Sequence, residues 1–504
     1  ANITFGKTLN GIAPNAQAVT LSAGTQGVVL VSGTVGNSKS LSTLTLTQSY
    51  GATFAAAVNA DTSVVLSNTA AGRTITFADN LTTPTLTTTA NGYNLALLGS
   101  NANISDIQVA TVFNNTGTLT LGNSATDTLS FAGGLTATAP SAINAAGQIS
   151  TSGLSAINLG DATVGSATGV TLTDDVVLST AGGNLNINGA VNGTTANTQS
   201  LTLNATSAGS VSVTSTLGQT TSLKTLTLTH SNGATFASGV TAGTSVVLSN
   251  TLAGQTITFQ DNLTTPTLTT TSNGYNLALQ GGNTNISGTQ AATVFNNTGI
   301  LTLGNNASDV LSFAGGLTAT APSSINAAGQ ISTSGAGVIN LGDATAGSAT
   351  GVTLTDDVVL TTVGGNLNIN GAVNGTTANT QSLTLDATSA GTVSVTSTMG
   401  QTTSLKTLTL THSNGATFTE SVKADTSVVL SNTTSGQTIT FADNLTTPTL
   451  TTTANGYNLA LQGSNTNISG TQAATVFNNI GTLTLGNNAS DVLSFAGGLT
   501  ATAP

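Results

Sequence analysis

The strongest constraint on the fold of this chain is a tandem repeat that runs through nearly all of it. Phe54, Phe236 and Phe418 follow one another at a constant 182-residue interval, and other Phe, Tyr and Pro positions keep the same interval without insertion or deletion. Repeats of this kind let one continuous core grow along an axis, so a division into separate globular domains is not expected. An enzyme needs one constellation of unlike residues, whereas a fibre needs the same surface many times.

The 504 residues divide into repeat 1 at 1–182, repeat 2 at 183–364 and a partial repeat 3 at 365–504. Residues 1–50 are a diverged version of 183–232, since "SLSTLTLTQSYGATF" corresponds to "SLKTLTLTHSNGATF". Long and nearly identical copies indicate that function tolerates, or requires, length.

Alternation of apolar and polar residues predicts strands along the whole chain. The segments "TLTLT" at 225–229 and "NLNIN" at 184–188 alternate with period two, and no segment keeps the i, i+3, i+4 spacing of a helix. Pairs such as Asn91-Gly92 interrupt these runs every few residues and accept tight-turn backbone geometry. The sequence therefore predicts an all-β fold with short strands.

The repeat length and the scarcity of charge favour a parallel β-solenoid over an array of β-sandwiches. Sandwich arrays have periods of roughly 100 residues, whereas weak echoes in this chain recur at about 20–25 residues, the length of one solenoid coil. Equivalent positions of a parallel solenoid stack roughly 4.8 Å apart, so like charges would repel, and only 5% of the residues are charged. We expect roughly eight coils per repeat and about 20–25 in the chain, which would make a rod on the order of 100 Å long.

Differences between the copies predict which residues point inward. Position 56 is occupied by Ala56, Ser238 and Glu420 in the three repeats, whereas Val58 is Val in all of them. We expect a buried column of aromatic residues, formed by Phe54, Phe77, Phe113, Phe131 and their counterparts in the following repeats.

A resemblance rests on "TGVTLTDDVVLSTAGGNLNINGAVNG" at 168–193 and on the Ser/Thr-rich strands that follow it. This rhythm resembles the large β-strand-repeat surface proteins of bacteria, namely autotransporter passenger domains and filamentous-haemagglutinin-like exoproteins. The resemblance covers essentially the whole chain and implies a right-handed parallel β-helix. It also implies export to the cell surface and a role in adhesion, cell contact or fibre formation.

Residues suited to catalysis do not come together in the sequence, and we expect no catalytic, cofactor-binding or metal site. Asp174-Asp175, repeated as Asp356-Asp357, is the best acidic pair, but adjacent strand residues point to opposite faces. Solvated loop acids are therefore the favoured interpretation.

Other ionisable residues stand singly. Asp61 and Asp79 have copies at Asp425 and Asp443 and are interpreted as isolated turn residues. His230 and His412 occur once per repeat, and the sequence suggests no second metal ligand nearby, so surface positions are expected. Calcium is a minor alternative for the acidic pair and for Asp161, although the glycine-rich nonapeptide of calcium β-rolls is absent.

These observations predict a structural or adhesive segment of a long extracellular bacterial surface fibre that is not an enzyme. The expected partners are copies of the chain itself, end to end or laterally, further repeats of the same polypeptide, or other cells and surfaces. Nucleic acid is excluded because the net charge is −11 and no basic patch occurs, and no apolar run is long enough to span a membrane as a helix. The alternative is a solenoid that binds ice or glycans through outward Thr and Asn columns.

The two ends of the sequence suggest a further hypothesis. Ala1 to Phe5 read as an ordinary strand, not as a polar cap, and Pro504 corresponds to Pro140 and Pro322, which continue into further strands. We expect the chain to be a window onto a longer polymer.

Overall fold

The computed structural model of the chain describes residues 1–163, 167–345 and 350–504. All regular elements among these residues are β-strands. The chain separates into two compact units, Ala1–Gln255 and Thr256–Pro504. Within each unit the strands pair in parallel with strands of the preceding and following coils, so each unit is a parallel β-solenoid as the sequence predicts.

The coils of Ala1–Gln255 contribute strands to three parallel ladders, which we call faces A, B and C. Face A contains Ile3–Phe5, Val29–Val31, Ala52–Phe54, Thr74–Phe77, Asn94–Leu97, Thr118–Leu121, the first halves of Ala142–Ser150 and Gly169–Ser179, Val191–Gly193, the bridge residue Leu217 and the first half of Val240–Leu248. Face B contains the first half of Val58–Leu66, Leu81–Thr83, Asn101–Ile104, Thr128–Phe131, the second halves of Ala142–Ser150 and Gly169–Ser179, Leu201–Asn204, Leu223–His230 and the second half of Val240–Leu248. Face C contains Val19–Ser22, Leu41–Gln48, the second half of Val58–Leu66, Thr85–Thr88, Thr111–Val112, Leu135–Ala137, Ile157–Leu159, Leu185–Ile187, Val211–Val213 and Ala234–Phe236.

The second unit is built in the same way. Its strands are Thr256–Phe259, Leu263–Thr265, Thr267–Thr270, Asn276–Leu279, Asn283–Ile286, Thr293–Val294, Ile300–Leu303, Val310–Phe313, Leu317–Ala319, Ser324–Ser332, Ile339–Leu341, Gly351–Thr361, Leu367–Ile369, Val373–Gly375, Leu383–Asp386, Val393–Val395, Leu405–His412, Ala416–Phe418, Val422–Leu430, Thr438–Phe441, Leu445–Thr447, Thr449–Thr452, Asn458–Leu461, Asn465–Ile468, Thr475–Val476, Leu483–Leu485, Val492–Phe495 and Leu499–Thr500.

Coil length varies because the corners between faces differ in length. Paired residues of successive coils are 20 residues apart where Thr43 pairs with Ser63. They are 28 residues apart where Asn158 pairs with Asn186. The sequence echoes at about 20–25 residues thus correspond to single coils, and the longer coils carry larger corner loops.

The core is a continuous column of inward side chains, because alternate residues of every strand point to the axis. Phe54 and Phe77 of adjacent coils stack with ring centroids 4.9 Å apart, and Phe113 meets Phe131 edge to face at 5.8 Å. All four rings and their copies in repeat 2 are buried, as predicted. Phe495 of repeat 3 is only half-buried, since its strand is paired on one side alone.

The strand bounds recur at the repeat interval. Val58–Leu66, for example, corresponds to Val240–Leu248 and to Val422–Leu430, and the long strand Gly169–Ser179 corresponds to Gly351–Thr361. The described parts of the gapless copies therefore follow the same order of strands and corners.

A repeat does not contain a whole number of coils. Phe54 lies on face A, where it pairs with Phe77, whereas its counterpart Phe236 lies on face C and pairs with Val213. Seven coils after Phe54, the chain returns to face A at Leu217. It then passes through face B and reaches face C, where Phe236 lies. Each repeat thus spans seven coils and two thirds of an eighth, so its residues move to another face in the next copy.

Most of the sequence differences between the copies fall on the surface. Val58, Val240 and Val422 are buried, whereas the variable positions occupied by Arg73 and Glu420 are exposed. The predicted separation of an invariant interior from a tolerant exterior is therefore confirmed at these positions. A buried exception is Leu217, which is replaced by Met399, a side chain of similar volume.

Tyr93, Tyr275 and Tyr457 are fully buried, one in each repeat. The Tyr93 hydroxyl donates to the Leu66 carbonyl at 3.3 Å and accepts from the Thr89 amide at 3.2 Å. Burial raises the pKa of all three tyrosines above the ordinary value. The folded chain therefore holds these protons more tightly than the unfolded chain does.

We expect the free energy of unfolding to fall as the pH rises above about 10, because the unfolded chain then loses tyrosine protons that the folded chain keeps. The measurement is ultraviolet phenolate absorbance together with circular dichroism, in a Tyr50→Phe variant that retains only the buried tyrosines. Phenolate should appear only as the β-structure is lost. Phenolate formation near pH 10 with an unchanged dichroism spectrum would contradict this prediction.

Thr206 has a left-handed backbone with a φ of 55°, which is unfavourable for a β-branched residue. Thr388, its copy in repeat 3, has a φ of 52°, whereas the matching position in the diverged segment of repeat 1 is Gly24. We expect Thr206→Asn to raise the free energy of unfolding by about 0.5–1 kcal/mol, because Asn tolerates this conformation better. Urea denaturation followed by circular dichroism measures the change. Ser207→Asn, at an exposed neighbouring position, is the control and should have little effect.

Candidate interaction surfaces

Outward side chains of face C form a series of uncharged residues at the surface. Parallel pairing places Thr20, Thr45, Val65 and Thr87 in register. It does the same for Val112, Thr136, Asn158, Asn186, Ser212 and Thr235. Asn186 Nδ2 donates to Asn158 Oδ1 at 2.7 Å, and Asn158 Nδ2 donates to Thr136 Oγ1 at 3.2 Å. Asn and Thr therefore stack as hydrogen-bonded ladders, which stacked charges could not do.

The outward positions of faces A and C do not form a continuous threonine array. Val65 and Val112 interrupt the series on face C. On face A the outward residues paired in succession are Thr76, Ala96, Thr120, Asn144 and Thr171. These interruptions do not favour the alternative of ice binding, which requires regular Thr columns.

The acidic pair lies at a corner, where its two side chains point in opposite directions along the solenoid. Asp174 and Asp175 belong to the strand Gly169–Ser179 and not to a loop, which corrects the expectation; they occupy the point where its pairing shifts. Asp174 Oδ2 accepts from the Ala125 amide of an earlier coil at 2.9 Å, and Asp175 Oδ1 accepts from the Ser200 amide of the next coil at 2.7 Å. Asp356 and Asp357 make the corresponding contacts in repeat 2. The carboxylates thus accept hydrogen bonds from backbone amides outside the strands of other coils.

The isolated acids also act on their local backbone or on neighbouring hydroxyls. Asp61 accepts a hydrogen bond from Ser40, and Asp79 Oδ1 accepts from the Asn80 amide at 2.7 Å. Asp61 and its copy Asp425 lie within strands, at a break in the pairing, and not in turns as expected.

Asp161 closes a local turn. Its Oδ1 accepts from the Thr163 hydroxyl at 2.7 Å and from the Thr163 amide at 2.9 Å. These hydrogen bonds lower the pKa of the Asp161 carboxyl below its ordinary value. Among residues 1–163, 167–345 and 350–504, no group of three or more His, Cys, Asp or Glu side chains is placed to hold a metal ion.

His412 of repeat 3 belongs to a side-chain ladder that crosses four coils. Its Nδ1 lies 3.3 Å from Asp386 Oδ2, its Nε2 lies 3.4 Å from Asn432 Nδ2, and Asn432 Oδ1 accepts from Asn455 Nδ2 at 2.8 Å. When Asn432 Nδ2 donates to His412 Nε2, that nitrogen is the acceptor, so the imidazole proton is assigned to Nδ1, which donates to Asp386. Sequence reasoning missed the carboxylate beside His412, because the two residues are separated by one coil and the coil register was unknown.

Two corresponding grooves lie beside a bulged corner loop. In repeat 1 a groove of about 210 Å³ is lined by Thr85, Thr87 and Val109 among others, and its copy of about 250 Å³ in repeat 3 is lined by Thr449 and Ala473 among others. The residues that line these two grooves are uncharged and include no aromatic side chain. The grooves therefore offer neither acid–base groups nor a stacking surface for sugars.

Repeat 1 carries larger apolar side chains around its groove than the later repeats do. Ile107 is 69% exposed and Val109 is 53% exposed, and the corresponding residues of repeat 3 are Thr471 and Ala473. This small apolar cluster distinguishes the surface of repeat 1 from that of its copies.

Comparison of the chain with protein-family models, with curated proteins and with solved structures found no match in any of the three. The family resemblance stated above therefore rests on composition and rhythm alone. Within the part of the chain that the structure describes, no helix is long and apolar enough to cross a membrane.

Proposed function

We infer that this chain is a non-enzymatic structural or adhesive segment of an extracellular bacterial surface fibre. The observation that carries this proposal is the recurrence of the strand bounds, together with a core that is largely unchanged between the copies, at the 182-residue interval of the sequence repeat. Such a design conserves a stiff scaffold while the outward residues vary. The resemblance to autotransporter passenger domains and filamentous-haemagglutinin-like exoproteins supports the location at the bacterial surface.

The chemistry of the described surface agrees with a scaffold role. Carboxylates at the corners bind backbone amides of other coils, as Asp174 and Asp175 do, and the two grooves have uncharged linings. The partners in this proposal are other copies of the chain or of its repeats, and surfaces of other cells.

The experiment is immunogold electron microscopy of intact native cells with an antibody to the exposed corner loop at 105–110. We expect gold particles on filaments outside the cell, and digestion of intact cells with protease should release peptides of this chain. Labelling confined to the cytoplasm of permeabilised cells would overturn the proposal. An antibody to an abundant cytoplasmic protein controls for lysis.

A further inference from the structure

The three faces of Ala1–Gln255 are free of formal charge at their paired positions. The Lys, Arg, Asp and Glu residues of this unit are Lys7, Lys39, Asp61, Arg73, Asp79, Asp106, Asp127, Asp161, Asp174, Asp175 and Lys224. Among the described residues of the unit, none of them occupies a paired position in the parallel ladders of faces A, B or C.

The charged residues lie at corners, and some of these corners fall within long strands that pass from one face to the next. Asp61 falls between the segments of Val58–Leu66 that pair on faces B and C, and Lys224 falls at the pairing shift between Leu223 and Thr225. Like charges stacked along a ladder would repel one another, and the ladders of this unit, which carry no charge, form three neutral faces. In the second unit, by contrast, Lys423 and Asp386 occupy paired positions. A highly charged partner such as nucleic acid would find no counter-charge on these faces, whereas another neutral face would meet no repulsion.

The size of a face reaches the lower limit for a specific contact. About ten stacked coils at roughly 4.8 Å per coil give a length of about 50 Å, and a strand segment of three residues is about 10 Å wide. Face-to-face contact would thus bury about 500 Å² on each partner and about 1,000 Å² in total, which reaches the lower bound for specific protein interfaces. Small outward residues such as Thr, Ser, Asn and Val on face C allow close sheet-on-sheet packing.

Because a repeat does not contain a whole number of coils, corresponding segments of successive copies lie on different faces, and the three faces therefore share similar sequences. Ala52–Phe54 lies on face A, and its copy Ala234–Phe236 lies on face C. The second half of Val58–Leu66 lies on face C, and the second half of Val240–Leu248 lies on face B. A surface that accepts a neighbour on one face is therefore present, in another copy, on a different face.

We propose that faces A, B and C of Ala1–Gln255 are lateral contact surfaces on which second copies of this chain pack face to face, in more than one direction. This inference rests on the proposed fibre function and names its partner. A solenoid with a single contact face would form pairs, whereas contact faces on several sides lead to bundles.

The test places one lysine on each face of the full-length chain. Thr241→Lys on face A and Asn59→Lys on face B copy Lys423, which repeat 3 carries at the same position, and Thr87→Lys changes face C. Sedimentation velocity should show assembly of the parent chain at micromolar concentration, and the triple variant should associate at least about tenfold more weakly, because each lysine must be desolvated without a partner. Each single variant should reduce the size of the assemblies only in part.

The matched control adds the same charge at exposed corners, with Ala71→Lys, Gln108→Lys and Ser207→Lys. This control should assemble like the parent, and circular dichroism should show the same β-structure in all variants. A parent chain that stays monomeric at about 100 µM, or face and corner variants that assemble equally, would overturn the inference. Neither result bears on the immunogold experiment, so failure of lateral packing and failure of the surface-fibre proposal are distinguishable.

Discussion

Phe54→Ala should lower the free energy of unfolding by about 3–5 kcal/mol, because it opens a cavity in the column of inward side chains. The Phe54 ring is fully buried and stacks on Phe77 of the next coil at 4.9 Å. Both neighbours along the column, Val31 and Phe77, are held by parallel pairing, so the coil has little freedom to collapse around the cavity. Urea denaturation followed by circular dichroism measures the change.

The control for this prediction is Thr53→Ala on the same strand. Thr53 points outward and is partly exposed, so its replacement should change the free energy of unfolding by less than about 1 kcal/mol. Similar effects of the two substitutions would mean that the inward and outward phases of the strand had been exchanged.

Gly183→Ala should destabilise the chain by about 3 kcal/mol or more, because one corner has no room for a side chain. A Cβ atom at Gly183 would lie 2.1 Å from the Ser155 carbonyl oxygen of the preceding coil. The next coil repeats the close approach, since a Cβ at Gly209 would lie 2.0 Å from the Gly183 carbonyl oxygen. Backbone atoms would have to move in two coils at once, which flexible side chains cannot relieve.

Gly6→Ala is the control for the corner glycine. A Cβ atom at Gly6 has no neighbour within 4 Å, so we expect little change in the urea midpoint. Equal tolerance of both substitutions, with unchanged circular dichroism, would show that successive coils are further apart at this corner than the structure places them.

The fold class could be predicted from sequence because its determinants are local and repeated. Alternation in segments such as Leu223–His230 specifies strands, and a gapless period specifies that every copy repeats the same path. Burial of Phe54 and exposure of Glu420 followed from comparing three copies within one chain. Such comparisons report which side of a strand is inside, but not which strand lies beside it.

The acids illustrate where local reasoning ended. Asp174 and Asp175 were expected in a loop, and the structure places them in a long strand whose pairing shifts at that point. Their partners Ala125 and Ser200 lie 49 and 25 residues away in sequence. The contact of Asp386 with His412 is separated in the same way, by 26 residues. Coil lengths vary with the corners, so no fixed spacing in the sequence announces these contacts.

The sequence by itself determined an all-β solenoid, a 182-residue repeat and the inward positions, because strand alternation and exact repetition are written residue by residue. Only the tertiary structure decided that each repeat ends two thirds of the way round a coil, so that Phe54 and Phe236 lie on different faces. It also decided that the charged residues of Ala1–Gln255 occupy corners between neutral faces. The physical reason is that the register depends on the summed lengths of all intervening corners, which become defined only when the coils pair.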